Sequence, residues 1–343
     1  MSLPDYQPRN RWLRNGHAQT IAGNYWPRTI SLPPVQVEAV EVERARDERP
    51  AIAEQCDCHW QPEAVRAERM TIILLHGVGG SSNSHYVRGN ASKAFRAGCN
   101  VVRMNLRNCG DVLPPTPTLY NAGQSGDVRA VAEHFVKRYG LQRIALVGYS
   151  MGGNVMLKYA GESGDSPPPW LNSVVGISPA IDLSASSDAL HLWRNRMYEV
   201  NFLQKLNSRF LHRAQQFPQF FDATAVRRVR SLRDFDTRVV ARYCGYVDAE
   251  DYYCHATSAN VIGDITVPTL IVHAQDDPFI RLTATTRAKL LANPHIQLIE
   301  TEHGGHCAFL AAPENGPENF DGYWAERALL EFVLTRAICA NAG

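Results

Sequence analysis

The sequence predicts an α/β fold, a mostly parallel central sheet flanked by helices and interrupted by a helical insertion, and three observations predict it. Short apolar runs of strand length alternate with helical periods along most of the chain. One of those runs, 144–147, passes directly into Gly148-Tyr149-Ser150-Met151-Gly152-Gly153, a glycine-flanked turn between a strand and a helix. Strand patterning then disappears over 185–262 and resumes at 269–273.

Taken in order, the first part of the chain reads as extended to about residue 61, with strands near 35–42 and 55–60 joined by a charged, exposed connection at 44–49. The first core strand is Thr71–Leu75, followed by the glycine loop His76-Gly77-Val78-Gly79-Gly80-Ser81. Residues 127–139 place Val128, Val131, Ala132, Phe135 and Val136 on one stripe, the spacing of a helix with one buried face. Gly140 ends that helix, strand 144–147 follows, and after the serine a helix over 154–160 stops at Gly161. A polar, Pro-rich loop (162–169) leads to a strand at 173–177. Helical segments rich in arginine and aromatics fill 185–262, with Val267-Pro268 as the join back to a strand at 269–273. Ile296–Thr301 is the last strand, with a terminal helix expected soon after it. Residues 1–184 and 263–343 therefore form one unit, and 185–262 is inserted into it.

Composition narrows the classes. Of 343 residues, 45% are hydrophobic and 20% charged, the balance of a globular enzyme rather than a disordered chain. No apolar run approaches the roughly 18 residues that span a bilayer, and residues 1–15 lack the apolar stretch of a secretory signal, so a cytoplasmic protein is expected. A net charge of +1 gives no drive toward nucleic acid. The eight cysteines read as free thiols. Cys56-x-Cys58-His59 alternates like a strand ending at Trp60 and has no second pair at zinc spacing, so no metal is expected there.

The chemistry concentrates around Ser150. A tight strand-to-helix turn holds its hydroxyl out above a helix N-terminus, with the backbone N–H of Met151 and the positive end of the helix placed where an oxyanion would form. The loop after Thr71–Leu75 supplies a second donor, the N–H of Val78. That loop is neither a dinucleotide fingerprint, since Ser82 stands at the sixth position, nor a P-loop, since no Gly-Lys-Ser/Thr follows.

A serine hydroxyl needs a base, and the base needs a carboxylate to fix its tautomer. With the order serine, acid, histidine, the acid falls in Gln275-Asp276-Asp277-Pro278. Asp277 is the choice because the following proline rigidifies its turn. Asp276 is expected to be its solvated neighbour, and Asp182 is the runner-up. The base falls in Glu302-His303-Gly304-Gly305-His306, where the glycine pair lets the loop double back and deliver His306 at the start of the terminal helix. His303 is expected to be a surface histidine, and His17, in Asn15-Gly16-His17-Ala18-Gln19-Thr20, is unusual in a polar N-terminal arm.

These motifs together resemble the YheT-like group of α/β-hydrolases, a group of predicted esterases and lipases. The likeness also runs through Ser84-His85-Tyr86-Val87-Arg88, Asn105-Leu106-Arg107-Asn108-Cys109-Gly110, Leu119-Tyr120-Asn121-Ala122-Gly123, Phe235-Asp236, residues 248–253 and Asp276-Asp277-Pro278-Phe279. Two positions depart from the group: Asn108 stands where glycine is usual, and Ala274 replaces a frequent glycine. Asparagine tolerates the left-handed conformation that such a turn requires.

The resemblance implies a Ser150/Asp277/His306 triad, hydrolysis of a small-molecule acyl ester without metal or cofactor, and a helical cap over the active site. Acyl transfer to an alcohol would use the same residues, and a ligand sensor with a vestigial triad is the reading from another class. Between Arg194 and Arg242 there are 11 Lys/Arg and 4 Asp/Glu, so this segment carries 11 − 4 = +7 and the rest of the chain 1 − 7 = −6. A basic cap face would suit anionic lipids or peripheral contact with a membrane surface.

Overall fold

The computed structural model describes residues 5–46, 49–312 and 320–339. In chain order these comprise α1 (Gly16–Tyr25), β1 (Gln36–Glu43), β2 (Ile52–His59), β3 (Thr71–Leu75), α2 (His85–Arg96), β4 (Asn100–Met104), α3 (Ser125–Tyr139), β5 (Ile144–Tyr149), α4 (Met151–Ser163) and β6 (Leu171–Ile177). They continue with α5 (Leu183–His191), α6 (Arg196–Gln216), α7 (Ala249–Ala256), β7 (Thr269–Ala274), α8 (Ala284–Ala292), β8 (Ile296–Thr301) and α9 (Trp324–Cys339), with shorter helical turns between α6 and β7. No helix of the described residues is long and apolar enough to cross a membrane.

Among the described residues eight strands form one sheet in the order β1-β2-β4-β3-β5-β6-β7-β8. Only β2 runs against its neighbours; β4 through β8 pair in parallel. Strands β3 to β7 are buried on both faces, which is why most of them read as continuous apolar runs, whereas β8 at the sheet edge is partly exposed. Alternate side chains serve the two faces. Ile73, Leu75 and Leu146 pack with Val128 and Phe135 of α3 and Leu157 of α4. Ile72, Leu74 and Val147 pack with Ala91 of α2 and Trp324 and Leu329 of α9.

Register decides where the loops meet. Leu75 pairs with Gly148, so the loop after β3 lies beside the turn after β5. Ile177 pairs with Val272 and Ala274 with Thr301, which brings the loops after β6, β7 and β8 to the same edge. That edge is where open α/β sheets bind ligands.

Several elements differ from the sequence expectation. The arm that reads as extended contains helix α1, capped by Asn15, whose side chain accepts from the N–H of Ala18. It carries no apolar stripe because only Gly16, Gln19, Thr20 and Gly23 are buried, and small and polar side chains pack by close approach. Strand β4 and helices α2 and α8 add to the elements expected from sequence. The helix after Ser150 begins at Met151 and runs past Gly161 to Ser163, because Gly161 packs within 2.3 Å of Val261 O at its virtual Cβ and so serves contact rather than termination. Asn108 does adopt φ of 59°, and its side chain bonds Thr116 and Thr118 across the turn.

Candidate active site

Ser150 sits between β5 and α4 with φ 54° and ψ −119°, a conformation that costs about 1–3 kcal/mol for a non-glycine residue. The surroundings impose it. Ser150 N–H donates to Ile177 O at 3.0 Å, and Ala180 N–H donates to Ser150 O at 3.1 Å. The glycines permit the turn: a Cβ on Gly152 would lie 2.5 Å from His76 O, and one on Gly148 would lie 2.3 Å from Gly152 O.

The loop after β3 is clamped so that one amide stays free. His76 is fully buried, its Nδ1 donates to Gly77 O at 2.8 Å, and its Nε2 accepts from Leu106 N–H at 3.2 Å. Burial pushes its pKa down to about 4, so the ring is a neutral strut. Tyr86 OH accepts from Gly77 N–H at 3.0 Å and Tyr120 OH from Gly79 N–H at 3.2 Å. Between those two amides, Val78 N–H has no partner among the described residues, nor has Met151 N–H in the first turn of α4. Tyr86 and Tyr120 were not singled out from sequence, where nothing but their place in flanking motifs marks them.

Asp277 is buried at the end of β7. Its Oδ1 accepts from Phe279 N–H (3.1 Å) and Ile280 N–H (2.9 Å), and its Oδ2 accepts from His306 Nδ1 at 2.8 Å. A carboxylate only accepts, so His306 carries its proton on Nδ1 and turns Nε2 outward. Burial raises the Asp277 pKa, but His306 and the Ile280 amide outweigh it and hold the carboxyl below its ordinary value. Burial lowers that of His306, but the Cys307 sulfur and the Asp277 carboxylate outweigh it and hold the imidazole above its ordinary value. No hydrogen bond joins Ser150 Oγ to the imidazole among the described residues; His306 Nε2 faces Cys307 Sγ at 3.5 Å.

The other candidates lie elsewhere. Asp182 bonds Thr283 and Thr286 at the start of α8. Asp276 is not a solvated bystander: it is half-buried and accepts from Gly305 N–H at 2.8 Å, which pins the loop before His306. His303 is half-buried against Asp276 (3.6 Å) rather than free on the surface. His306 does not begin a helix; it sits in a turn well before α9, because Gly304 and Gly305, at φ 152° and 59°, reverse the chain there.

Helix α1 gives the N-terminal motif its place in this site. Thr20 Oγ1 accepts from His306 N–H at 2.8 Å and donates to Gly16 O at 2.7 Å. Gln19 Oε1 accepts from Leu310 N–H at 3.0 Å. A Cβ on Gly16 would fall 1.9 Å from Asp276 O, so only glycine lets α1 reach the loop. His17 Nδ1 lies 3.2 Å from Tyr198 OH, linking α1 to α6.

Ser150, His306 and Cys307 open onto one cavity of about 730 Å³. The Phe279 ring lies 4.4 Å from the His306 ring, and Phe202 of α6 stands edge-on to Phe279 at 5.9 Å. Helices between β6 and β7 line part of it, and α1 with the loops after β3, β4 and β5 lines much of the rest.

A family model for the alpha/beta hydrolase fold matches residues 71–313. The YheT protein of Escherichia coli (strain K12) is 27% identical over 328 residues, covering 95% of this chain and 92% of that protein. A monoacylglycerol lipase of Saccharomyces cerevisiae is 29% identical over 247 residues, covering 69% of this chain and 54% of the lipase. Among solved structures, an esterase of Pyrococcus furiosus superposes with a TM-score of 0.52 at 15% identity, covering 90% of this chain and 98% of that one, a likeness of fold.

Proposed function

Because this chain belongs to the alpha/beta hydrolase family, we propose that it is a serine hydrolase of acyl esters, with Ser150 as nucleophile, His306 as base and Asp277 as the acid that orients it. One observation carries the reading: His306, hydrogen-bonded to the buried Asp277, opens onto the same cavity as a serine held in strained backbone beside two uncommitted amides. The name of one relative, a monoacylglycerol lipase in yeast, points the same way.

In this mechanism Ser150 Oγ hydrogen-bonds His306 Nε2 in the substrate complex; such contacts commonly tighten only when substrate is bound. His306 takes the hydroxyl proton as Oγ attacks the ester carbonyl. Val78 and Met151 amides hold the oxyanion, a donor being worth ~10²–10³ in turnover. The imidazolium then protonates the leaving alcohol. Water, deprotonated by the same ring, releases the acid from the acyl-enzyme. An alcohol in place of water would give transfer, so the water-to-alcohol partition of the product is the measurement that separates hydrolase from acyltransferase.

Thr20 is a positioning residue here. Thr20→Val keeps the shape but leaves the His306 N–H without its acceptor, a loss of ~1–3 kcal/mol. The expected result is a fall in kcat of about tenfold with KM nearly unchanged, checked by steady-state kinetics. A fall in thermal stability with kcat intact would make the contact merely structural.

Cys307 shapes the pH profile. A base must be unprotonated, so a raised His306 pKa moves the acid limb of kcat/KM to higher pH. Cys307→Ala removes one of the causes and should move that limb to lower pH; an unmoved limb would show that the sulfur has no such influence.

Residues 185–262 serve as a cap whose aromatics line the acyl site. Phe202, half-buried and lining the cavity, sets the room left for the chain. At ~0.8 kcal/mol per buried methylene, Phe202→Ala should shift the preferred p-nitrophenyl ester toward longer chains. Phe210 is the poorer probe, because it is 2% exposed and packs on Phe221 and Tyr243.

A further inference from the structure

Helix α6 places Lys205, Arg209 and Arg213 at successive i, i+4 positions, and all three line the cavity that holds Ser150. Like charges at that spacing destabilise a helix, and a helical rise of 1.5 Å sets them about 6 Å apart along one face. Elsewhere in the protein buried cations have carboxylates: Arg28 with Glu326, Arg103 with Asp57, and Arg107, which also lines the cavity, with Glu43 and Asp127. Among the described residues no carboxylate pairs with Lys205 or Arg209, which are exposed, or with Arg213, which is buried.

Arg213 is the most telling. It is 9% exposed, its guanidinium donates to Gln216 Oε1 at 3.0 Å, and it lies 5.9 Å from the Phe217 ring. A buried guanidinium without a counter-charge is costly. The cavity supplies little compensation. The carboxyl in its described wall, Asp236, accepts from Tyr253 OH at 2.6 Å, and burial pushes its pKa up to about 7. Arg209 ties the cluster to the site of attack: its Nη2 donates to Gly79 O at 3.2 Å and to Gly80 O at 3.4 Å, one and two residues beyond Val78. Lys205 lies over the same loop, its Cδ 3.6 Å from where a Cβ on Gly79 would stand.

Resting on the serine hydrolase reading above, we propose that the substrate is an ester that itself carries an anionic group, a phosphate or carboxylate, bound by Lys205, Arg209 and Arg213 while the scissile carbonyl sits at Ser150. Guanidinium forks match either oxyanion bidentately, and such charge-assisted bonds are about twice as strong as neutral ones. Because Arg209 bonds the loop next to Val78, the anion lies a few bonds from the carbonyl rather than at the far end of an acyl chain. The apolar remainder of the cavity, with Phe202 and Leu206, takes the hydrocarbon.

The test uses two substrate pairs that differ only in charge. One pair is 1-octanoylglycerol 3-phosphate against 1-octanoylglycerol, with the anion on the alcohol. The other is monomethyl succinate against methyl butanoate, with the anion on the acyl chain a few bonds from the carbonyl. For wild-type protein at low salt, kcat/KM should favour the anionic member of one pair by about tenfold or more, and the favoured pair identifies which side of the ester carries the charge. Lys205→Met with Arg213→Met should reduce that ratio about tenfold. Should the double variant not fold, the wild-type protein still decides the matter: octyl phosphate or octanoate should protect Ser150 from a fluorophosphonate better than 1-octanol does, and less so as salt rises. A ratio near one in both pairs, or equal protection by the anions and the alcohol, overturns the proposal. Failure of the fluorophosphonate to label Ser150 at all would instead overturn the hydrolase reading.

Discussion

Ser150→Ala should abolish ester hydrolysis, leaving turnover at or below ~10⁻³ of wild type, while the protein remains folded. The hydroxyl makes no hydrogen bond among the described residues, so its loss leaves no partner unsatisfied. The residue's main-chain bonds to Ile177 and Ala180 do not depend on the side chain. Alanine inherits the same positive φ as serine, so the backbone strain is unchanged. Circular dichroism and thermal melting should therefore overlay wild type. Activity above a tenth of wild type would remove Ser150 from the mechanism.

The second large effect is expected at the acid. Asp277→Asn replaces an acceptor with an amide that forces the imidazole toward the wrong tautomer, and a loss of ~10⁴ in kcat is expected by analogy with a serine protease triad. Its Oδ1 bonds to Phe279 and Ile280 can survive in asparagine, so the turn should persist. Asp182→Asn separates the two carboxylates that sequence leaves open. Its oxygens serve Thr283 and Thr286, so its variant should lose stability at α8 and keep its rate. An inactive Asp182→Asn beside an active Asp277→Asn would reverse the assignment.

Much of this arrangement is legible in the sequence because parallel strands buried on both faces leave continuous apolar runs, and turns that follow them must use glycine, proline or a short polar side chain. The turn at Ser150 is visible from Gly148, Gly152 and Gly153, since each is pressed against backbone or Pro179. Loops after β7 and β8 are visible from Pro278 and from the Gly304-Gly305 pair. Helix α1 is not, because its packing depends on Gly16, Gln19 and Thr20 fitting against loops almost 300 residues away rather than on an apolar stripe. The same limit hid the part of Asp276. As a sequence it is one of two adjacent carboxylates, and only the fold shows that it holds Gly305 while Asp277 holds His306.

Cys307 makes the identity of the nucleophilic atom a question for direct measurement. Its sulfur, not the Ser150 hydroxyl, is the group 3.5 Å from His306 Nε2 in the free protein, yet the glycine turn, the uncommitted amides and the helix N-terminus are all arranged around Ser150. The direct measurement is to react the folded protein with a fluorophosphonate, follow the loss of esterase activity, and locate the adduct by peptide mass spectrometry. One adduct per chain is expected, on Ser150, rising in step with inactivation. An adduct on Cys307, or full inactivation with Ser150 unmodified, would contradict that assignment.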